Sequence, residues 1–312
     1  MDKRKSADAG DTNIIRIWFR AVRFHYVPPS ILPAVLCSLI AWKRSQAMDA
    51  VAFALVVLGV TLNHFGINML NDACDFRNRV DLPDREKNPY TGGSGILAEG
   101  FLSPGALAAA SALCFLATAA IGIYLALTKG WPVLAIGLFG LFCSIFYTAP
   151  PVKFGYRGFG EAALLVNFGP TIGLGAYYVQ TGTFSFEAFL ISLVLGFMMW
   201  SMIILNEIPD YEDDRNGNKW NLVARFGRKK AITFFVCGLA ASYGILIAAA
   251  LFGVAPASIL LALAGVPLAL KTIRLLKKHY LDAMRLAPAN LSMIRVHLFT
   301  GIALIAAYAI FA

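Results

Sequence analysis

The chain has 312 residues, 58% of them hydrophobic and only 14% charged, with a mean hydropathy of +0.67, which excludes an ordinary soluble domain and fits a polytopic membrane protein. A net charge of +9 would suit nucleic acid, but the basic residues gather at the ends of apolar runs, where topology and anionic lipid account for them. The five cysteines are scattered without C-x-x-C spacing, which reads as small apolar filler and not as a metal or disulfide framework.

In chain order, residues 1–23 carry six lysines and arginines and form a cytoplasmic N-terminal segment, with Ser6 to Asp11 as a loose tail. Uncharged runs follow at 24–42, 50–71, 105–127, 131–149, 162–186, 188–206 and 231–270. The first holds Pro28, Pro29 and Pro33 and no small-residue cleavage site, so it is retained. A span needs about 20 residues, so 231–270 divides in two at Gly253-Val254-Ala255-Pro256. A last run extends from about Asn290 to the C-terminus. The expected fold is therefore all-α: residues 24–312 form a single membrane domain of nine transmembrane helices bundled around a central cavity with a cytoplasmic cap. With the N-terminus in the cytoplasm, 24 of the 27 basic residues lie on that side, all but Lys43, Arg44 and Lys129.

Two polar strings of one pattern, N-[D/E]-x-x-D, end the second and sixth runs: Asn71-Asp72-Ala73-Cys74-Asp75 and Asn206-Glu207-Ile208-Pro209-Asp210. They lie four helices apart and approach the same face, as a parallel duplication would place them. At 100° per residue Asn68, Asn71, Asp72 and Asp75 share one narrow stripe. Asn206, Asp210, Asp213 and Asp214 share another, with Pro209 expected to kink the helix. Carboxylates at the edge of hydrocarbon are costly unless paired, so they mark a site. Paired with Arg77, Arg79, Arg85, Arg215 and Lys219 they could form only a solvated loop. Two matched sets of hard oxygen ligands favour Mg2+, which binds one or two carboxylates and leaves room for phosphate oxygens. The long connections 72–104 and 207–230, rich in turn formers at Asn88-Pro89, Gly92-Gly93-Ser94-Gly95 and Asn216-Gly217-Asn218, are expected to cover that site as lids or clamps.

The string Asn71-Asp72-x-x-Asp75 with Asp81, and Asn206-x-x-x-Asp210-x-x-x-Asp214 with Gly217, Lys219, Leu222, Arg225, Phe226 and Gly227, resemble the two aspartate-rich motifs of UbiA-type intramembrane prenyltransferases. Within that family the likeness is to the 1,4-dihydroxy-2-naphthoate polyprenyltransferases of menaquinone synthesis. It rests on the placement of Asp81 and on Tyr147-Thr148-Ala149-Pro150-Pro151, Tyr156-Arg157-Gly158, Gly160-Glu161, Phe168-Gly169-Pro170 and Tyr178-Val179-Gln180-Thr181-Gly182. Pro89-Tyr90-Thr91-Gly92-Gly93-Ser94 departs from that branch.

The resemblance implies transfer of a polyprenyl group from its diphosphate to an aromatic acceptor, with Mg2+ as cofactor and membrane lipid as surroundings. Asp72, Asp75, Asp210 and Asp214 would hold the metal, and Arg23, Lys153, Arg157 and Lys219 would share the diphosphate charge. Asn68, Asn71 and Asn206 would line the substrate site, and Tyr147, Phe168, Tyr177 and Tyr178 offer aromatic faces to an allylic cation. Asp81 or Asp84 could take the acceptor proton. Asn63, His64 and Asn167 read as interhelical packing. Other acceptors, 4-hydroxybenzoate, homogentisate or chlorophyllide, fit the same reaction, and a divalent-cation transporter is the alternative of another class.

Overall fold

In hydrocarbon no water is available to backbone N–H and C=O groups, so long apolar runs satisfy them internally as helices. The computed structural model describes residues 13–80 and 88–311, and among these no strand occurs. The helices are α1 (Ile14–Ala21), α2 (Pro28–Ser45), α3 (Ala50–Arg77), α4 (Pro104–Lys129), α5 (Trp131–Ile145), α6 (Gly160–Val166), α7 (Ile172–Thr181), α8 (Phe186–Glu207), α9 (Tyr211–Asn216), α10 (Leu222–Phe226), α11 (Arg228–Leu251), α12 (Val266–His279) and α13 (Ala287–Phe311).

Each expected apolar run is helical, but among the described residues seven segments are long and apolar enough to cross a membrane, and an eighth counts if α2 and Ile14–Tyr26, bent by 54°, make one span. The expected nine is not reached on that measure, because α5 has 15 residues and rises only about 22 Å, short of a hydrocarbon core of about 30 Å. The N-terminal segment is more than a charged tail. Apolar residues at 14, 17, 18 and 21 follow a helical period, and α1 lays Ile17 and Ala21 on Met69 and Ala73 of α3 while Ile14, Ile15 and Phe19 stay exposed.

Helix α8 is the most enclosed of the long helices. The α6–α7 rod lies against it closely because both surfaces lack a side chain at the crossing: a Cβ on Gly169 would stand 2.8 Å from Gly196 Cα. Within this rod a widened turn, Asn167–Thr171, accommodates Pro170, which has no N–H to donate. At the end remote from the two acidic strings, Arg44 donates twice to Glu187 Oε2, at 2.9 and 2.7 Å, and Tyr308 Oη donates to Glu187 Oε1 at 2.8 Å, joining α2, α8 and α13. Lys129 pairs with Asp49 there at 2.7 Å. Arg44 and Lys129, both left out of the basic face, thus have acidic partners at the opposite end of the bundle.

Candidate active site

Helix α3 continues to Arg77, beyond the apolar run, and so carries Asn68, Asn71, Asp72 and Asp75 to the mouth of the bundle on one stripe, as their spacing predicts. Helix α8 behaves differently. It stops at Glu207, and Pro209 separates it from α9, which starts after Asp210. The expected kink is a break, and Asp214 is returned to the mouth by a new helix. After α9, Asn218 adopts a left-handed φ of 55° and the Lys219 N–H closes on the Asp214 carbonyl at 2.7 Å, which turns Lys219 inward.

These elements enclose a cavity of about 120 Å³ whose walls include Asn68, Asn71, Asp75, Asn206, Asp210, Asp214 and Lys219. The Lys219 ammonium lies 2.9 Å from Asp75 Oδ2 and 3.6 Å from Asp214 Oδ1, so one cation touches an acid from each string. Asp75 also accepts from Asn71 Nδ2 at 3.1 Å and from Tyr156 Oη at 2.6 Å, and Tyr156 in turn accepts from Asn78 Nδ2 at 2.9 Å. Asp72 is paired with Arg23, which also donates to Asn71 Oδ1 at 3.3 Å. Asn68 Nδ2 donates to the Val22 carbonyl at 2.9 Å, anchoring the Arg23 backbone region to α3.

The connection after residue 87 crosses the mouth as a strap. Its Gly92 N–H donates to Asp210 Oδ2 at 3.0 Å and its Ser94 N–H to Asp72 Oδ2 at 3.0 Å, one bond to each string. Gly92, Gly93 and Gly95 all have φ near +70°, a conformation that glycine adopts without cost. Behind the strap, buried Asn88 donates to Asn290 Oδ1 at 3.1 Å and Asn290 donates to Asn206 Oδ1 at 2.9 Å, so an amide relay fixes the strap to α13 and α8.

The electrostatics favour an added cation. Burial raises Asp214 to about 8, with Lys219 opposing the rise and Asp210 and Asp75 adding to it. Burial works against the charge on Lys219, but Asp214 and Asp75 outweigh it and hold the ammonium well above its ordinary value. Asp214 Oδ2 accepts from Asn221 Nδ2 at 2.6 Å, while buried Asp214 Oδ1 accepts no hydrogen bond. Such a carboxylate oxygen, ion-paired with Lys219 at 3.6 Å but accepting no hydrogen bond, amid carboxylates and side-chain amides, suits a hard divalent ion. Among the described residues no three His, Cys, Asp or Glu side chains converge as a metal cage. The donor set instead matches Mg2+, which uses one or two carboxylates and takes its other ligands from phosphate or water.

Of the remaining residues singled out in the sequence, Tyr147 and Phe168 line the cavity. Tyr178 does not: it sits at the far end of α7, its ring 4.9 Å from that of Phe184. Tyr177 belongs to the apolar core of that same end. Lys153 lies outside the cavity with its ammonium 4.9 Å from the Tyr156 ring, and Arg157 is exposed, its carbonyl accepting from Arg225 at 2.9 Å. The 3₁₀ turn Phe154–Tyr156 leaves Tyr156 buried on Asp75, and neither flanking cation lines the cavity. Asp81 and Asp84 lie outside the described residues. Asn63 and Asn167 both donate to Ser144 Oγ, at 2.8 and 2.9 Å, as packing residues do. As site residues, sequence reasoning missed Tyr156 and the strap N–H groups. The glycine cluster at 92–95 signalled the strap, and Tyr156 entered only within the Tyr156-Arg157-Gly158 run.

Residues 30–294 match the UbiA prenyltransferase family. The chain is 22% identical over 228 residues to the 1,4-dihydroxy-2-naphthoate octaprenyltransferase of Bacillus subtilis, covering 73% of this chain and 71% of that one. It is 23% identical over 299 residues to the 2-carboxy-1,4-naphthoquinone phytyltransferase of Synechocystis, covering 94% and 93%. The fold is similar to that of a UbiA homolog from Archaeoglobus fulgidus bound to DMAPP and Mg2+, with a TM-score of 0.62 at 14% identity over 93% of this chain and 99% of that one. A UbiA homolog from Aeropyrum pernix K1 gives 0.64 at 16% identity, over 94% and 98%.

Proposed function

The chain belongs to the UbiA prenyltransferase family, and we propose that it moves a polyprenyl group from polyprenyl diphosphate to 1,4-dihydroxy-2-naphthoate in menaquinone biosynthesis. The observation that carries this reading is the contact of Lys219 with acids of both motifs, which draws them into one site where a divalent cation and a diphosphate could meet. Relatives named for naphthoate-type acceptors support the choice of ring. The membrane domain is residues 24–312, with the N-terminus and the site in the cytoplasm, a reading supported by the placement of 24 of 27 basic residues.

Asp72 and Asp75 on one side, and Asp210 and Asp214 on the other, would hold Mg2+. When bound, the metal neutralises charge on the diphosphate as the allylic carbon–oxygen bond breaks. Lys219 and Arg23 donate to the same oxygens, and Tyr156 and Asn71 hold the Asp75 carboxylate in place. The strap and the apolar bundle keep water from the resulting carbocation, which the faces of Tyr147 and Phe168 stabilise by about 2 kcal/mol each when desolvated. The acceptor ring carbon attacks, and the ring then loses its carboxylate as carbon dioxide. Asp81, by its position after the first string, is the proposed acceptor of the hydroxyl proton, which it returns to the ring oxygen once carbon dioxide has left. The test offers a panel of rings with one long polyprenyl diphosphate and Mg2+, followed by mass analysis. A prenylated, decarboxylated naphthol is expected; product from 4-hydroxybenzoate alone would refute the naphthoate reading.

A further inference from the structure

The α3 stripe that ends in Asp75 extends inward past Asn68. His64 continues it, since positions 64, 68, 71 and 75 stand at i, i+4, i+7 and i+11 of one helix. His64 lies about 16 Å along the helix axis from Asp75 and lines the inner side of the carboxylate cavity. The packing role expected for this residue therefore accounts for only part of it.

Its packing partner is Ser30 of α2, whose Oγ stands 2.6 Å from His64 Nδ1, and both residues are buried. A hydroxyl donates as readily as it accepts, so Ser30 serves either tautomer and holds the imidazole by Nδ1 alone. The Phe168 ring meets the imidazole at 86° with centroids 5.3 Å apart, which fixes the ring plane. Nε2 is left for the cavity. No hydrogen bond from the described residues reaches it, and it is not sealed in the interior as both nitrogens of His297 are. The walls on this side are Ile67, Leu164, Phe168, Met199 and Ile203, an apolar setting in which an unsatisfied nitrogen is costly.

An isoprenoid chain has no group that bonds an imidazole, whereas a ring hydroxyl does. The acids hold the diphosphate at the mouth, so the carbon it leaves lies on the inner side. A ring that attacks this carbon from the face opposite the departing oxygen stands further inward, toward His64. We propose that His64 orients the aromatic acceptor, its Nε2 hydrogen-bonded to the 4-hydroxyl of 1,4-dihydroxy-2-naphthoate. The inference rests on the reading that the acceptor is this dihydroxy ring. No proton is transferred at His64. The bond turns the ring so that its carbon faces the cation, and it draws the hydroxyl hydrogen away from oxygen, which makes the ring more electron-rich.

The test uses the purified full chain in detergent with Mg2+ and one polyprenyl diphosphate. It measures KM for 1,4-dihydroxy-2-naphthoate, KM for the donor, and Ki for 1-hydroxy-2-naphthoate, a competitor that lacks the 4-hydroxyl. His64→Leu should raise KM for the dihydroxy ring about tenfold, the worth of one buried hydrogen bond, while the other two constants stay within about twofold. His64→Gln, which keeps a polar atom near the Nε2 position, should lose less. Ser30→Ala, which leaves the imidazole unheld, should show the same selective loss at smaller size. These two variants carry the comparison if His64→Leu does not fold. Equal changes in the acceptor KM and the competitor Ki, or no change in any folded variant, would overturn the proposal. A rise confined to the donor KM would also overturn it and would place His64 against the isoprenoid chain. Wild-type protein that prenylates other rings but not the naphthoate would instead refute the acceptor reading on which the proposal rests.

Discussion

Lys219 is largely enclosed between Asp75 and Asp214, its side chain 12% exposed, and its loss would leave two buried carboxylates without that cation. Lys219→Met should therefore lower kcat/KM for the polyprenyl diphosphate by about 10- to 100-fold, the equivalent of about 1.5–3 kcal/mol for a hydrogen bond to a charged group. Tyr156→Phe removes one of three donors to Asp75 and should cost about tenfold in kcat, whereas Tyr178→Phe, at the far end of α7, should leave kinetics unchanged. Steady-state assay of the three variants checks all of this, and a Tyr178→Phe enzyme as impaired as Tyr156→Phe would contradict the placement. The stripe Asn68, Asn71, Asp72, Asp75 was legible in the sequence because helical spacing alone determines which side chains share a face. Tyr156 was not, because a short turn decides whether residue 153, 156 or 157 looks inward, and turn direction depends on tertiary contacts.

At the level of elements, the strap and the α6–α7 rod hold the site in shape. Gly92 has φ of 70°, where a Cβ costs about 1 kcal/mol. Gly92→Ala should loosen the N–H bond to Asp210 and lower kcat several-fold while the protein remains folded. Gly169→Ala acts differently, because its Cβ would meet the Gly196 backbone, which cannot rotate away. Overpacking of this kind costs about 1–3 kcal/mol, so thermal unfolding in detergent should shift down by several degrees. Unchanged melting of that variant would show that the rod and α8 are not packed as described. The glycine cluster and the long connection forecast a lid, yet its bonds to both strings were invisible, since N–H groups carry no sequence signal. The amphipathic α1 was readable from its period but lay inside a segment whose charge suggested only a tail.

Across the whole molecule, the apolar runs anticipated the helical course, and the crossing count differs because α5 is short and α2 joins its predecessor at a bend. Length is what sequence hydropathy measures least well at such junctions. The convergence of two strings separated by more than 100 residues follows from like-facing helices in one bundle, and it gives the account its central claim: the acids act as a single metal–diphosphate site. Titration of Mn2+, in place of Mg2+, onto the purified chain by electron paramagnetic resonance tests it, with and without an unreactive thiodiphosphate analogue of the donor. The account predicts that the analogue tightens Mn2+ binding, and that Asp75→Asn and Asp214→Asn each abolish the tightening. Tightening that survives in either variant would contradict it.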